Sequence, residues 1–263
     1  MNDRMKSYRL LPWIIPVAFV SIWCLESRSG WVPAYLIPYP EGIGKSGYSY
    51  IFGQAGDGPY AGRFLTDAGA SLIRVVTGFS MAAGAGVLLG MLSGRIVWVN
   101  RLLSASVNGI RAVPGICWLP LFLIWFGIGM KTTVFLICLA AFFPIYLNAA
   151  AGARAVPPIL LQAGAMMGVG RMRCLFAILI PGAMSHLMAG LRLGLGVSWA
   201  YLVLGEMTGV SSGLGAVIMD ARMSGNIDII IIGIVLIAWF GQLSDYLLRW
   251  LLRFFFKSAR RTP

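Results

Sequence analysis

Long apolar stretches alternate with short polar connections along most of this chain. A helix that crosses a lipid bilayer needs about 20 mostly apolar residues. Stretches of suitable length lie approximately at residues 10–26, 71–93, 105–128, 132–150, 182–206 and 227–252. The pattern therefore predicts an all-α polytopic membrane protein with about six transmembrane helices.

The stretch at 105–128 is the least regular of these. Its first half contains Arg111, Pro114 and Gly115, which interrupt an apolar helix. Two arrangements remain open, a continuous span or a short cytoplasmic segment that leads into a span. Non-helical backbone at membrane depth needs cover by protein or water.

Composition agrees with a membrane protein. Of the 263 residues, 59% are hydrophobic and 11% are charged, whereas a soluble domain carries about 25% charged residues. We expect one domain over residues 1–263. The first apolar stretch lacks a small-residue cleavage site before Glu26, so we expect it to be a retained span.

The net charge of +12 reflects membrane topology rather than nucleic-acid binding, because cationic residues cluster at the ends of the apolar stretches. With both termini in the cytoplasm, most of the 21 Lys and Arg residues, Arg111 among them, fall on the cytoplasmic side. Arg74 and a polar periplasmic loop at 27–70 are then outside, and the segment 154–181 is cytoplasmic. We therefore expect a multi-pass protein of the bacterial inner membrane.

The segment Gly42–Gly47 matches the pattern GxGxxG. No apolar strand precedes it and no helix pattern follows, as a dinucleotide-binding or P-loop motif would require. We interpret it as a turn-rich part of the loop at 27–70 and expect no nucleotide site in this chain.

Glycines repeat every four residues on two predicted spans, at Gly86, Gly90 and Gly94 and again at Gly190 and Gly194. Small residues on one helix face let backbones approach closely in lipid. Packing within the helix bundle is the favoured interpretation, and a homodimer seam is the alternative.

Side chains on the fifth span are candidates for a translocation pathway: Arg192, Trp199, Tyr201 and Glu206. Charge at membrane depth is costly and often marks a pathway. The alternative is that Arg192 and Glu206 snorkel to an interface, with Trp199 and Tyr201 in ordinary packing.

A polar, glycine-bearing element follows the fourth span. Pro157-Pro158 breaks the chain, residues 159–167 form a short helix, and Gly168 permits a turn. Residues 172–180 form a second helix, and Pro181 redirects the chain into the membrane. The element is either a docking helix for a soluble partner or an ordinary interfacial connector.

This element resembles the EAA loop of ABC-importer permeases, in which a Glu-Ala-Ala triplet leads to a glycine and later a proline. Gln162-Ala163-Gly164 falls on the triplet, Gly168 on the glycine and Pro181 on the proline. Other stretches resemble the nitrate/sulfonate/taurine subfamily, so the family-like core covers about residues 65–255. These stretches are Arg111–Pro114, Leu119–Leu121, Trp125–Gly129, Phe142–Ile145, Gly190–Arg192, Glu206–Met207 and Ser212–Gly215.

The resemblance implies a type I importer (MetI-like) permease fold, a homodimer of permeases with two ATPase subunits, and a periplasmic or lipid-anchored binding protein. ATP and Mg would be bound by the ATPase, so this chain would hold no cofactor and would not itself be an enzyme. The ATPase-coupling residues would be Gln162, Ala163, Gly164, Gly168, Arg171 and Pro181.

Two residues of the triplet depart from the family pattern. Gln162 replaces the usual Glu and loses its charge, and Gly164 replaces the second Ala. A glycine inside a helix costs about 0.5–1 kcal/mol relative to alanine, so these changes put the strength of coupling in question.

The function that the resemblance implies is import of a small anion of the alkanesulfonate, taurine or nitrate class by alternating access. Import of a heterocyclic vitamin precursor and ATP-independent carriage are the alternatives. A membrane-embedded enzyme would need paired catalytic groups at depth, and the chain has a single histidine, His186.

The first testable prediction concerns the turn after the triplet. Replacing Gly168 by Asp should uncouple ATP hydrolysis from uptake while the spans still assemble, because the turn of the coupling loop needs glycine. Substrate-stimulated uptake at the normal rate in that variant would contradict the assignment of the coupling loop.

Overall fold

The computed structural model describes residues 14–15, 17–18, 20–27, 38–54 and 56–255, without the side chains of Arg171 and Phe255. Residues 20–27 are helical, and no strand occurs in the described ranges. The later helices are α1 (Pro40–Phe52), α2 (Phe64–Arg95), α3 (Val97–Ala112), α4 (Leu119–Phe126), α5 (Met130–Ala155), α6 (Pro158–Met166), α7 (Arg171–Cys174), α8 (Ile180–Glu206), α9 (Leu214–Met223) and α10 (Ile227–Phe255). A short 3-10 helix occupies Gly115–Trp118, and a π-helical turn occupies Leu175–Leu179.

Helices long and apolar enough to cross a membrane lie at Phe64–Arg95, Met130–Ala155, Met184–Glu206 and Ile227–Phe254. They coincide with four of the predicted spans, at 71–93, 132–150, 182–206 and 227–252, and confirm those predictions. The predicted span at 10–26 lies partly outside the described residues.

The stretch at 105–128 is not a continuous span. Val97–Ala112 and Gly115–Phe126 are separate helical segments that meet at an angle of 89°. Val113, which precedes Pro114, has extended backbone angles (φ −80°, ψ 122°), because the proline ring disfavours the helical conformation of the residue before it. The sequence signals at Pro114 and Gly115 thus mark a sharp bend rather than a kink within one helix.

The described residues group into two compact units. The smaller unit joins the N-terminal part of the chain to Val217–Val235 and contains α1. The prediction of a turn-rich loop around Gly42–Gly47 is wrong, since these residues lie within α1. The Oγ atom of Ser46 donates a hydrogen bond to Oδ2 of Asp228 at 3.2 Å, and Gly47 lies beside Ile232.

Helix α1 was missed because three glycines within 13 residues suggest a turn. Two helix-start signals were nevertheless present, Pro40 at the first position and Glu41 in the first turn. Burial against Asp228 and Ile232 outweighs the weak helix propensity of the glycines. A GxGxxG pattern inside a helix does not form a phosphate-binding loop.

The larger unit covers Thr66–Ala216 and Leu236–Pro263 and is organised around α5. The repeated glycines of α2, Gly86, Gly90 and Gly94, lie directly against α5, where there is no room for a side chain. A Cβ atom on Gly90 would lie 2.5 Å from the carbonyl oxygen of Tyr146, and one on Gly94 would lie 2.5 Å from that of Ala150. The glycine repeat on α2 therefore serves packing within one chain.

Helix α8 contacts α5 in the same way. A Cβ atom on Gly190 would lie 2.6 Å from Cβ of Asn148, and one on Gly194 would lie 2.7 Å from Cγ1 of Ile145. Both glycine repeats are thus covered by α5, which rules out a homodimer seam at those faces. Closely approaching backbones gain van der Waals contact, which drives helix association in lipid.

A pair of glycine substitutions on α2 tests this packing. Gly90→Ala should lower the unfolding free energy by about 1–3 kcal/mol, because the added methyl group overpacks the contact with Tyr146 and Ala149. Gly84→Ala is the matched control, since Gly84 has open space around it. Thermal unfolding of the two purified variants should separate them, and equal midpoints would contradict the proposed packing.

Candidate functional site

The segment 154–181 contains a short exposed helix, α6, which begins at Pro158 in a position that suits proline. Gln162 and Ala163 are exposed, whereas Gly164 is buried. A Cβ atom on Gly164 would lie 2.7 Å from Cδ1 of Ile178 and 3.0 Å from Sγ of Cys174. Glycine at position 164 therefore lets Cys174 and Ile178, in the segment that returns to the membrane, pack closely against α6.

Gly168 ends α6 in a Schellman motif. Its φ angle is +72°, a conformation that residues with a side chain rarely adopt. Its backbone N–H donates to the carbonyl oxygen of Ala165, and the N–H of Val169 donates to that of Gly164, both at 3.0 Å. This pair of hydrogen bonds satisfies the last carbonyls of the helix, so the turn depends on glycine.

Apolar side chains are exposed around this turn. Met166 is 90% exposed and Met167 is 81% exposed. The other exposed apolar side chains of the segment are Ile159, Leu160, Met172 and Phe176. Large exposed apolar patches mark sites of interaction with protein or membrane, and methionine adapts readily to a partner surface.

The chain returns to the membrane through a π-helical turn, Leu175–Leu179, directly before Pro181. Proline has no N–H to donate, and its ring crowds the carbonyl four residues earlier, so the regular helix is interrupted here. Isolated π-helical turns often occur at functional sites. Pro181 itself lies in the first turn of α8 and is half-buried.

The segment 154–181 is attached to the membrane helices at its base. Arg95, the last residue of α2, donates from Nη2 to the carbonyl oxygen of Val156 at 2.8 Å. A cluster of buried side chains joins the same region to α2, α5 and α8: Met91, Ala149, Ala153, Val156, Leu179, Ala183 and Leu187. A force applied to α6 would therefore be transmitted to these helices.

The structure brings the candidate coupling residues together in one loop but gives them different environments. Gln162, Ala163 and Gly168 are exposed and available to a partner, and Gly164 faces the protein interior. The side chain of Arg171 lies outside the described part of the structure. Their role in coupling stays a prediction.

The four candidate pathway residues do not form one site. Trp199 and Tyr201 are two positions apart on α8 and therefore face different directions. The Nε1 atom of Trp199 donates to Oγ of Ser244 at 2.9 Å, while Tyr201 lies against Gly115. Trp199 is 5% exposed, which fits the packing interpretation.

Arg192 belongs to an ion-pair cluster on α8 and α10. Its Nε lies 2.8 Å from Oδ1 of Asp245, and Arg249 lies 2.9 Å from Oδ2 of the same carboxylate. Arg192 and Asp245 line a cavity of about 780 Å³ together with Trp199 and Gln242. Asp245 is thus shared by two guanidinium groups, so the cluster keeps a net positive charge.

Glu206 is fully buried, so the snorkelling interpretation is wrong for this residue. Its carboxylate accepts hydrogen bonds from Nη1 of Arg74 at 2.6 Å, from Oγ of Ser71 at 2.8 Å and from the backbone N–H of Gly215 at 2.8 Å. A buried charge is tolerated when it is paired and hydrogen-bonded in this way.

The Glu206 network also fixes the turn that follows α8. Arg74 donates to the carbonyl oxygen of Ser212 at 2.7 Å, and Asp67 accepts from the N–H of Gly213 at 3.0 Å. A Cβ atom on Gly213 would lie 2.5 Å from Cδ of Glu206, which leaves room only for glycine. The network accordingly holds residues 212–215 against α2.

Sequence reasoning missed this network because its members are about 130 residues apart in the chain. The distribution of Lys and Arg along the chain assigns Arg74 to the outer side of the membrane and does not predict its partner. One signal was available, since Asp67, Ser71 and Arg74 have the spacing of one helix face. Polar residues on one face of an apolar span predict a polar partner inside the bundle.

A second cavity, of about 450 Å³, lies where α3 bends into α4. Arg111, Trp118 and Tyr201 line it together with Phe143 and Pro144 of α5. Arg111 therefore lines a cavity that reaches the middle of α5. Its assignment to the cytoplasmic side stays a prediction.

An all-helical multi-pass chain with interior charges, a cavity at a broken helix and a glycine-ended surface loop has the features of a membrane transport permease. Residues 86–257 match the family described as "Binding-protein-dependent transport system inner membrane component". The chain belongs to this family, and the resemblance seen in the EAA loop is confirmed.

Relatives named for different solutes match the chain along most of its length. The bicarbonate transport system permease protein CmpB of Synechococcus elongatus is 30% identical over 95% of this chain and 90% of its own length. The taurine transport system permease protein TauC of Escherichia coli K12 is 35% identical over 70% and 67%, respectively. The nitrate import permease protein NrtB of Synechocystis is 34% identical over 67% and 64%.

The fold also resembles a solved structure, an inward-facing conformation of the MetNI methionine ABC transporter. The TM-score is 0.57 at 20% sequence identity, over 71% of this chain and 94% of the solved chain. The predicted MetI-like permease fold is thereby confirmed.

This chain is therefore the permease component of an ABC importer in the inner membrane. Permeases of this family assemble with ATPase subunits and a binding protein, so ATP is hydrolysed by a separate subunit and no cofactor is expected here.

The Glu206 network gives a prediction about stability. Arg74→Met should lower the unfolding free energy by about 3–5 kcal/mol, because it leaves the carboxylate of Glu206 buried without a cation. The double variant Arg74→Met/Glu206→Gln removes both charges and should recover much of that loss. Denaturation of the purified proteins would measure both effects, and equal stability of the single and double variants would contradict a buried ionic pair.

Proposed function

We propose that this permease carries a small anion of the alkanesulfonate, taurine or nitrate class into the cytoplasm. The observation that carries the proposal is that relatives at 30–35% identity are named for taurine, nitrate and bicarbonate transport. These solutes share a small size and an oxyanion group. The binding protein would select the individual solute, and the permease pathway would need to accept small oxyanions in general.

We further propose that α6 and the turn after it dock into a groove of the ATPase. Gln162 and Ala163 are exposed there, next to the apolar patch of Met166 and Met167. Gln162 offers hydrogen bonds in place of the charge of the usual Glu. The triplet would then present no charge to the ATPase, and the apolar side chains of Met166 and Met167 would lie beside it.

Motion would pass from the ATPase to the spans through the base of the loop. The contact between Arg95 and Val156 connects the loop to α2, and the π-helical turn before Pro181 connects it to α8. Helix α5 lies against both α2 and α8. A displacement of α6 on ATP binding would tilt this group of helices together and alternate access to the pathway.

The full importer would contain two copies of this chain and two ATPase subunits, with both termini and the loop 154–181 in the cytoplasm and a binding protein on the outer face. Arg192, Trp199, Tyr201 and Glu206 remain the sequence-derived pathway candidates. Of these, Arg192 and Trp199 line one cavity and Tyr201 lines another, whereas the carboxylate of Glu206 is fully hydrogen-bonded inside the protein.

The alternative substrate is a heterocyclic vitamin precursor, the second solute class that the family resemblance implies. Carriage without ATP is disfavoured, because the chain belongs to a binding-protein-dependent family.

Uptake by the reconstituted importer tests the substrate class. Proteoliposomes that contain this chain with its ATPase and binding protein should accumulate at least one of taurine, ethanesulfonate, nitrate or bicarbonate in an ATP-dependent manner. The matched control is the Gly168→Asp importer, which should hydrolyse ATP without accumulation. Accumulation of a thiamine-type pyrimidine precursor in place of all four anions would overturn the proposal.

A further inference from the structure

The cavity at the bend between α3 and α4 lies beside the middle of a transmembrane helix. Phe143 and Pro144, which form one wall, are at the centre of the 26-residue helix α5. Arg111, at the end of α3, forms another wall of the same cavity. An arginine therefore faces a cavity that reaches the middle of a transmembrane helix, and a charge inside a membrane protein is costly unless it faces protein or water.

Arg111 has no partner among the described residues. Neither an ion pair nor a hydrogen bond joins its guanidinium to any side chain or carbonyl group in the described ranges, and its side chain is exposed. Arg192, in the middle of α8, lines the cavity of about 780 Å³ and is paired with Asp245 at 2.8 Å. An anion at Arg192 would compete with that carboxylate, whereas an anion at Arg111 would not.

Tyr201 supplies a second polar group to the cavity. A Cβ atom on Gly115 would lie 2.5 Å from its hydroxyl oxygen and 2.7 Å from Cε1, so glycine at position 115 makes room for this ring. The Tyr201 hydroxyl has no hydrogen-bond partner in the described ranges either. A free O–H donor and a free guanidinium thus line one cavity whose remaining walls are mostly apolar.

The geometry points to this cavity as an anion-binding station of the permease, and we infer that Arg111 and Tyr201 bind the oxyanion group of the solute as it passes. The inference rests on the proposed function and names the residues that would recognise its substrate class. Arginine binds oxyanions through two parallel N–H donors, and a volume of about 450 Å³ accommodates a solute as small as taurine or nitrate.

A purely structural role for Arg111 is the competing explanation. It lies in the last turn of α3, where a cation interacts favourably with the helix dipole. Such a role would need only a positive charge and would affect assembly and ATP hydrolysis together with uptake. A role in anion passage would affect the number of anions carried for each ATP hydrolysed.

The test measures uptake and ATP hydrolysis together in proteoliposomes that contain the complete importer, with whichever of taurine, ethanesulfonate, nitrate or bicarbonate the unmodified protein carries. Arg111→Gln should lower the anions carried per ATP by about tenfold or more, while binding-protein-stimulated hydrolysis stays within about twofold. Tyr201→Phe keeps the ring against Gly115 and should lower the same ratio by about threefold or more.

Arg101→Gln is the matched control, because Arg101 is exposed on the same helix and does not line the cavity. It should leave the ratio unchanged. A ratio for Arg111→Gln within twofold of the unmodified importer, or a proportional fall of uptake and hydrolysis, overturns the inference. If Arg111→Gln does not assemble, Tyr201→Phe decides alone, and an unchanged ratio for that variant overturns it.

The two proposals fail in different ways. An unmodified importer that carries none of the small anions but carries another solute would refute the proposed substrate class. An importer that carries a small anion with the same ratio in the unmodified, Arg111→Gln and Tyr201→Phe forms would refute only the anion-binding station.

Discussion

The larger compact unit depends on close packing of backbones at helix α5. Gly90 and Gly94 from α2 and Gly190 and Gly194 from α8 lie at distances that exclude even a methyl group. In a membrane, apolar side chains gain little by leaving the lipid, so the fit between helices must supply the attraction. The two outer helices are held in register with α5 by the shapes of their glycine faces.

Polar groups inside such a closely packed bundle need hydrogen-bond partners within the protein. Glu206 and Arg74 satisfy each other inside the protein, with help from Ser71 and the N–H of Gly215. Arg111 lies instead in a cavity that exists because Pro114 forces α3 and α4 apart by 89°. Arg74 and Glu206 therefore stabilise the bundle, whereas Arg111 faces the cavity that is proposed to bind the solute.

Much of this architecture follows from the sequence through simple physics. Length and apolar composition predicted six spans, of which the structure confirms four. The spacing from Gln162 to Pro181 predicted the surface loop and its family. The parts that could not be predicted depend on distant partners. Helix α1 forms despite three glycines because it packs on Asp228 and Ile232. The buried state of Glu206 depends on residues about 130 positions away, which local patterns do not reveal.

The glycine at position 164 has a consequence for how this subunit can exchange partners. Its missing methyl group faces Ile178 and Cys174 of the same chain, so the departure from the usual alanine is accommodated internally. Of the two changed residues in the triplet, only Gln162 is exposed, so under the proposed docking only Gln162 would present altered chemistry to the ATPase. Compatibility with the ATPases of related importers should therefore depend on one exposed amide rather than on a remodelled helix.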